Sequence, residues 1–332
     1  MTTTGLSVRS VDLRDDGLSP LQGRRGLLVA SSGGHLAELL HMADLIGLRE
    51  DSPVVTFDTP QARSLLAERP HGFVPYVSPR DLPGTVRAAR ALATMDLHLV
   101  DFVLSTGASV AVSAWWAARR ASVPFLYVES FARLVGPSLT GSILARLPQA
   151  RLFTQHPGWA DHQWEPCRNV LGAFVPSAGG PSQPAPRRAM RLFVTLGTIK
   201  PYRFDRLVDQ VLALTTPDDD IVWQVGSTGR DDLPGHTYNE MTSEMFDHAV
   251  EQADAVVAQA GVGTLLRCLE LGVMPVAVPR LGRFGEHVDD HQVQIATLLR
   301  ERRLALTPDA SRLSRLDLEV AATGRRTIAV PD

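Results

Sequence analysis

The sequence has few cysteines, no tract of basic residues and no signal peptide, and each absence argues against a class of protein. Its two cysteines, Cys167 and Cys268, lie far apart without the spacing of a zinc site, so we expect buried free thiols in a reducing compartment. The net charge of −3, without a lysine or arginine tract, argues against a nucleic-acid partner. The first 25 residues lack the basic and apolar parts of a signal peptide.

No apolar stretch reaches the roughly 18 residues expected of a membrane-spanning helix. The nearest, residues 102–118, contains Gly107 and several serines and ends at Arg119, so a buried strand followed by a helix explains it better. The chain is 44% hydrophobic and 21% charged, which is typical of a soluble protein, and its 332 residues have room for about two domains. We therefore expect a soluble, cytoplasmic protein.

Short apolar runs alternate with segments of helical periodicity along most of the chain. The runs are continuously apolar, which is typical of parallel strands covered on both faces. The predicted strands are residues 26–31, 53–57, 74–77, 100–105, 125–129 and 151–155, and then 192–196, 221–225, 255–259 and 273–278. The predicted helices are residues 35–47, 61–68, 82–95, 109–120 and 139–147, and then 204–214, 239–252, 262–271, 290–303 and 313–322.

Residues 175–190 interrupt this alternation, because the proline, glycine and serine that dominate the segment cannot bury a core. The sequence therefore predicts an α/β protein with a flexible tail (1–25), a doubly wound Rossmann-like domain (26–174), a linker (175–190) and a second Rossmann-like domain (191–332). Ligands of such sheets bind at the carboxyl ends of the strands. We expect a cleft between the two domains at that edge.

Two glycine turns each lead directly from a predicted strand into a helix. One consists of Ser32, Gly33, Gly34 and His35, and the other is residues 261–264. Glycines at such a turn let a ligand approach the backbone, and the N–H groups of the helix favour phosphate. His35 titrates near neutrality and is a candidate general base for an acceptor hydroxyl. A tight packing turn in which the histidine caps the helix is the structural alternative.

Three further positions in the first half follow predicted strands. Gly107 lies in a small-residue turn, for which a packing role is equally possible. Glu129 ends an apolar strand, where a carboxylate is costly to bury without a partner. It could orient His35, act as the base or bind a sugar hydroxyl, whereas an ion pair with Arg133 is the structural alternative. Ser138 lies in the same segment.

The second half carries two further candidate segments. Gly197 and Thr198 end the first strand after the linker, a position that suits a phosphate. Residues 285–292 crowd polar side chains into a loop before a helix, as recognition of the hydroxyls of a sugar requires. Their spacing fits no standard metal-ligand set, and no metal or other cofactor is predicted.

Together these motifs resemble glycosyltransferase family 28, whose members have the GT-B fold. The segments SSGGHLAEL, STGASVAV and VESFARLVGPSLTG resemble the acceptor-side subunit of the UDP-GlcNAc transferase that extends dolichol-linked GlcNAc. The segments VTLGT, ADAVVAQAGVGT and GEHVDDHQ resemble its donor-side subunit. The chain thus resembles a fusion of the two subunits, and it is also similar to paired bacterial exopolysaccharide glycosyltransferases.

The resemblance implies an inverting transfer of a hexose or N-acetylhexosamine from a nucleoside diphosphate, expected to be UDP, without an obligatory metal. The acceptor would be lipid-linked, in cell-surface polysaccharide synthesis, with the enzyme peripheral at the inner face of the plasma membrane. The expected catalytic residues are His35 and Glu129. The expected acceptor-binding residues are Ser32, Gly33, Gly34, Gly107, Arg133 and Ser138. The expected donor-binding residues are Gly197, Thr198, Gln259, Gly261, Gly263, Thr264, Glu270, Glu286, His287, Asp290 and Gln292.

Two features depart from the family pattern. Many members carry a glutamate, which binds the ribose, six residues after the first glycine of the donor turn, where this chain has Arg267. Glu270 lies one helical turn later and could substitute for it. The N-terminal tail is polar, whereas the acceptor-side subunit often has a membrane anchor there. A nucleotide-sugar epimerase of the same fold, a transferase acting on a soluble small molecule and a non-catalytic partner of another transferase remain alternatives.

Overall fold

The computed structural model describes residues 16–78, 81–176, 189–198, 201–287, 290–323 and 328–329. Within these residues the N-terminal half contains a seven-stranded parallel sheet with the strand order β3-β2-β1-β4-β5-β6-β7. Its strands are β1 (Gly26–Ala30), β2 (Val54–Phe57), β3 (His71–Val74), β4 (Phe102–Gly107), β5 (Phe125–Val128), β6 (Ala150–Thr154) and β7 (Trp164–Pro166). Its helices are α1 (Gly34–Ile46), α2 (Pro60–Leu65), α3 (Leu82–Leu92), α4 (Val110–Arg120) and α5 (Leu139–Leu144).

The C-terminal half is built in the same way. The short strand β8 (Val175–Pro176) pairs antiparallel with β14 (Ile328–Ala329). The described strands of the second parallel sheet are β9 (Arg191–Thr195), β10 (Asp220–Gln224), β11 (His236–Tyr238), β12 (Ala255–Gln259) and β13 (Val276–Val278), in the order β11-β10-β9-β12-β13. Its helices are α6 (Asp205–Leu214), α7 (Ser243–Gln252), α8 (Val262–Glu270), α9 (His291–Glu301) and α10 (Arg315–Thr323).

Local sequence explains these elements. Every residue of β1 and of β4 is buried, as expected for strands covered on both faces. Helix α1 buries its Leu36, Leu39 and Ala43 and ends at Gly47, whose left-handed φ of +73° suits glycine. The core on one face of the first sheet is built with α3, α4 and α5, whereas that on the other face includes α1. The predicted α/β architecture of two doubly wound sheets is confirmed.

Three boundaries differ from the sequence-based expectation. Residues 16–25 are not a flexible tail, because Leu18 is fully buried and the carboxylate of Asp16 pairs with Arg168 at 2.6 Å. Helix α7 begins at Ser243, where the Thr242 side chain caps it, rather than at residue 239. The linker predicted at 175–190 begins with β8, and its residues 177–188 lie outside the described part. No helix among the described residues is long and apolar enough to cross a membrane.

The two halves share an apolar core in which α1 packs along α8. A Cβ atom added at Gly34 would lie 3.2 Å from the backbone nitrogen of Gly263. Two turns further on, Nδ1 of His41 lies 3.4 Å from Oε1 of Glu270. The step from residue 34 to residue 41 equals the step from residue 263 to residue 270, so the two contacts join equivalent positions of the two helices. The helices are therefore parallel and in register, and their N-terminal ends lie side by side.

Candidate active site

The turn between β1 and α1 holds His35 against the end of β4. Gly33 adopts a φ of +82°, which side chains disfavour. Nδ1 of His35 lies 3.1 Å from the carbonyl oxygen of Thr106, and the Thr106 hydroxyl donates to the carbonyl oxygen of His35 at 2.8 Å. Because a carbonyl can only accept, Nδ1 carries the proton and Nε2 keeps a lone pair.

The surroundings of His35 favour its neutral form. Burial lowers the pKa of the imidazole to about 4, the hydrogen bond to Thr106 partly opposes this effect, and the charges of His291 and Arg133 lower it further. His35 is therefore neutral near pH 7, in the tautomer that a general base requires. The interaction with His291 crosses the domain interface, so groups from both halves act on this one ring.

The absence of a side chain at Gly107 leaves room for the ring of His35. Its φ is +136°, and a Cβ atom there would lie 2.9 Å from Cε1 and 3.0 Å from Nδ1 of His35. A side chain at position 107 would displace the imidazole from Thr106. Gly107 therefore supports the candidate base through close packing, a role that differs from the predicted contact with an acceptor.

The environment of Glu129 does not support the predicted catalytic role. Its side chain is buried, and Oε2 accepts hydrogen bonds from the backbone nitrogen and the hydroxyl of Ser138, at 2.8 and 2.9 Å. Oε1 accepts from the hydroxyl of Tyr127 at 3.1 Å. Burial raises the pKa of Glu129. Because Ser138 also caps α5 through Gly141, the predicted acceptor contact of Ser138 is replaced by a structural one. The hydrogen bonds between Glu129 and Ser138 therefore connect the end of β5 to the start of α5.

Sequence reasoning missed a second buried carboxylate, that of Glu38 on α1. Oε1 of Glu38 accepts from the backbone nitrogen of Phe131 at 2.8 Å and from Nε2 of Gln155 at 2.6 Å. Burial raises the pKa of Glu38 to about 7. Glu38 thereby holds the segment that leads to Arg133, whose charge lowers the pKa of His35. A charged residue between Leu36 and Leu39 on the buried face of a predicted helix was the available signal.

The turn between β12 and α8 lies beside the start of α1 and leaves backbone N–H groups uncapped. Gly261 precedes α8, and no described side chain caps the first N–H groups of this helix, which leaves them available to an anion. Gly263 and Thr264 lie in its first turn, beside Gly34 of α1. The two positive helix ends therefore lie together.

Gly197, Thr198 and Gln259 flank this turn at the carboxyl edge of the second sheet. A side chain at Gly197 would overlap the amide of Gln259, so the glycine allows this amide to lie across the end of β9. Thr198 is exposed just beyond β9. Oε1 of Gln259 is buried, and none of the described residues donates a hydrogen bond to it. Oε1 of Gln259 is thus an unused hydrogen-bond acceptor at the edge of the sheet where ligands of such sheets bind.

Three predicted sugar-binding residues instead organise their own loop. Glu286 is buried and binds Arg206 through both oxygens, at 2.9 and 3.0 Å, so we no longer place it against a sugar. Oδ1 of Asp290 accepts from the nitrogen of Gly282 at 2.7 Å, and Oε1 of Gln292 accepts from that of Arg280 at 3.0 Å. One side-chain oxygen of Asp290 and that of Gln292 are therefore occupied. Oδ2 of Asp290 and Nε2 of Gln292 are the atoms that could contact a sugar.

The rings of His287 and His291 continue this loop towards the first domain. His287 stacks on Tyr202 with ring centroids 5.7 Å apart and meets His291 edge-on at 4.6 Å. The next two residues, 288 and 289, lie outside the described part. The loop thus brings His291, which was predicted within the polar loop but not beside His35, near enough to lower the pKa of His35. Among the described residues no group of three histidines, cysteines or carboxylates could hold a metal ion.

Glu270, which could substitute for the missing ribose glutamate, has partners within the protein. Its Oε2 lies 2.8 Å from Nη1 of Arg267, and its Oε1 faces His41 of the first domain. Arg267 also binds Asp247, with 2.7 Å between Nε and Oδ1. Arg267 and Glu270 therefore belong to a network of charged side chains at the domain interface, and the donor contact of Glu270 stays a prediction.

Comparison with known proteins agrees with this architecture. Residues 191–314 match the glycosyltransferase family 28 C-terminal domain, whereas no curated protein matches the chain. MurG from Acinetobacter baumannii is 18% identical over 91% of this chain and 95% of that one, with a TM-score of 0.51. The glycosyltransferase SnogD from Streptomyces nogalater is 18% identical over 92% and 93%, with a TM-score of 0.52. At this identity the two structures establish the fold alone, and the assignment to a family rests on the match of residues 191–314. Residues 191–314 therefore form a glycosyltransferase family 28 C-terminal domain, and the chain is a nucleotide-sugar-dependent glycosyltransferase with the GT-B fold.

Proposed function

We propose that this enzyme transfers a hexose or N-acetylhexosamine from UDP, with inversion, to a lipid-linked acceptor in cell-surface polysaccharide synthesis. The observation that carries the proposal is the parallel, in-register packing of α1 and α8, which brings two helix N-termini and His35 to one point. One helix end suits the diphosphate of the donor, and the other suits the phosphate of a lipid-linked acceptor.

The donor half supplies electrostatic stabilisation. The diphosphate lies against the N–H groups at Gly261, Gly263 and Thr264, where the helix end stabilises the negative charge that develops as UDP departs. Gly197, Thr198 and Gln259 flank it. The uncommitted atoms of Asp290 and Gln292 bind the sugar hydroxyls.

The acceptor half supplies the proton transfer. Nε2 of His35 takes the proton of the acceptor hydroxyl while the oxygen attacks the anomeric carbon from the face opposite the diphosphate. The new glycosidic bond forms as the bond to the diphosphate breaks, which inverts the anomeric centre. The pKa of about 4 belongs to the unliganded protein. Anions bound at the two helix ends raise it towards the range in which a base is effective.

An exposed apolar surface supports a lipid-linked acceptor. Leu82 and Val86 on α3, and Val135, Leu139 and Ile143 on or before α5, are all exposed. Leu82, Val135 and Leu139 follow strands of the first sheet, and they therefore lie at the same edge as His35. Exposed arginines accompany them: Arg87, Arg90 and Arg146. Exposed apolar side chains accompanied by arginines are typical of a surface that binds anionic membranes.

The test is release of nucleoside diphosphate from UDP-, GDP- and dTDP-sugars, with polyprenyl-diphosphate-linked sugars or soluble sugars as acceptors. We expect release from a UDP-sugar that depends on the lipid-linked acceptor. Release with soluble sugars alone would point to a small-molecule transferase, and formation of a free epimer without acceptor would point to an epimerase. Absence of turnover under all conditions would favour the non-catalytic partner.

Membrane binding is tested by sedimentation with vesicles of phosphatidylcholine and phosphatidylglycerol. We expect Leu82→Ser combined with Leu139→Ser to reduce the bound fraction. The matched control is Leu99→Ser, because Leu99 is equally exposed but precedes β4, at the opposite edge of the sheet. Equal binding by wild type and both variants would contradict the membrane surface.

A further inference from the structure

Arg280, directly after β13, is a buried arginine whose charge is incompletely paired. Its side chain is fully buried, and no described residue accepts a hydrogen bond from its Nε or Nη2. Its guanidinium lies 5.5 Å from the centre of the Phe204 ring. Burial lowers its pKa to about 10, so Arg280 is still charged near pH 7. Buried charged donors without partners are costly, and native proteins rarely keep them without a role.

Nε and Nη2 form the edge of the guanidinium through which arginine binds both oxygens of a carboxylate. In this molecule the same edge of Arg203 binds both oxygens of Asp205, at 2.8 and 2.8 Å. Arg206 binds Glu286 in the same manner. Glu286 also lies near enough to raise the pKa of Arg280, but its oxygens already accept from Arg206 and from the nitrogen of Leu281. The matching edge of Arg280 is left for another oxyanion.

The position of Arg280 points to the donor. Strand β12 lies between β13, which precedes Arg280, and β9, which precedes Phe204. Arg280 therefore lies at the carboxyl end of β13, next to the strand β12 whose carboxyl end leads into the donor turn at Gly261. The backbone nitrogen of Arg280 donates a hydrogen bond to Oε1 of Gln292, a candidate sugar-binding residue. Glu286, whose charge acts on Arg280, also lines a depression of about 350 Å³ together with Phe284, Gly285 and side chains between residues 201 and 206.

We propose that the Nε and Nη2 edge of Arg280 binds an oxyanion of the nucleotide-sugar donor. The oxyanion is either a phosphate of the nucleoside diphosphate or a carboxylate on the transferred sugar. This inference rests on the proposed donor site and adds to it a charged residue that the glycine turn does not contain.

The test is calorimetric binding of four ligands: uridine, UDP, UDP-glucose and UDP-glucuronate. They are titrated into wild-type protein, Arg280→Lys and Arg280→Met, with Arg203→Lys as a matched control because the same edge of Arg203 is occupied by Asp205. If Arg280 binds a phosphate, both Arg280 variants lose at least about tenfold in affinity for the three diphosphates and none for uridine. If it binds a carboxylate, only UDP-glucuronate loses affinity.

Other outcomes would overturn the inference. Unchanged affinities of both Arg280 variants for ligands that the wild type binds would reject Arg280 alone and leave the donor site standing. If the wild type binds none of the four, the proposed UDP donor site fails and the inference fails with it. Thermal unfolding separates a structural role. We expect Arg280→Met to keep the wild-type melting temperature, because it removes an incompletely paired buried charge and keeps an unbranched side chain, and equal losses for all four ligands with a lower melting temperature would contradict oxyanion binding.

Discussion

The turn before α1 and the turn before α8 occupy equivalent places, each between a buried strand and a helix whose first N–H groups lack a side-chain cap. They differ in the conformation of the glycine and in the residues after it. Gly33 has a left-handed φ and leads to His35, whereas Gly261 has a φ of −95° and leads to residues without ionisable groups. The same backbone device therefore serves two purposes. One turn can bind an anion and move a proton, and the other can only bind.

The carboxylates that have partners within the protein differ in a parallel way between the two halves. In the first half, Glu38 and Glu129 accept hydrogen bonds mainly from backbone, amide and hydroxyl groups, and burial raises the pKa of both. In the second half, Glu286 is neutralised by Arg206, and Glu270 by Arg267. Proton-dependent behaviour is therefore expected from the half that carries His35, and salt-dependent behaviour from the other.

The largest expected effect is that of His35→Ala, which removes the only ionisable group of the described turns. We expect kcat to fall about 10²- to 10⁴-fold, because general-base catalysis typically contributes that much. Affinity for UDP should be unchanged, since the donor turn is intact. Steady-state kinetics and calorimetry measure the two quantities. More than about a tenth of the wild-type turnover would contradict the assignment of His35 as the base.

A valine at Gly263 should impair the binding turn instead. Its Cβ atom would lie 3.1 Å from Cα of Gly34 and close to the N–H groups proposed to hold the diphosphate. We expect affinity for UDP to fall at least about tenfold, while circular dichroism shows a folded chain. Gly34→Val is the matched control, because it strains the same contact from the acceptor side. Equal losses of UDP affinity in both variants would show that the contact between the turns, rather than the end of α8, governs nucleotide binding.

Gly107→Ala should have a smaller effect on the same base. The added methyl group would displace the imidazole of His35 from Thr106, at a position whose φ already disfavours alanine. We expect kcat to fall about tenfold to a hundredfold, less than in His35→Ala, because the base is misplaced rather than absent. Turnover at the wild-type level would indicate that the hydrogen bond to Thr106 does not position the base.

The fold was largely predictable, because continuous apolar runs alternate with amphipathic helices and the two glycine turns interrupt them at strand ends. The position of His35 after β1 was predictable on the same basis. Its protonation was not, since the tautomer depends on Thr106, which is 71 residues away in the sequence. Long-range contacts of this kind leave no local pattern.

Several predicted site residues have partners that the sequence did not indicate, and these cases share a physical cause. Glu129, Glu286 and Glu270 were assigned to ligands because polar side chains at strand ends and in loops are typical of binding sites. In the structure they satisfy nearby backbone groups or arginines, and the sequence does not show which donors will lie within reach. Glu38 and Arg280 were overlooked for the converse reason. A single charged residue in an apolar segment gains meaning only when its partners, or their absence, are seen.

The smallest expected effect concerns Glu38, which lies three residues from His35 on α1. Folding raises the pKa of Glu38 from 4.5 to about 7, so this group contributes stability that is complete below pH 4.5 and is lost as the pH rises through 7. His35 acts in the opposite sense: its pKa falls from 6.5 to about 4 on folding, so its contribution is present above pH 6.5 and is lost as the pH falls through 4. Between these limits the two largely cancel. In Glu38→Gln the first contribution disappears, and urea unfolding from pH 4.5 to 7 should show the free energy of unfolding of the variant rising relative to wild type by at most about 1.4 kcal/mol per pH unit. Parallel stability curves for the two proteins would mean that the Glu38 carboxyl is already ionised in the folded state.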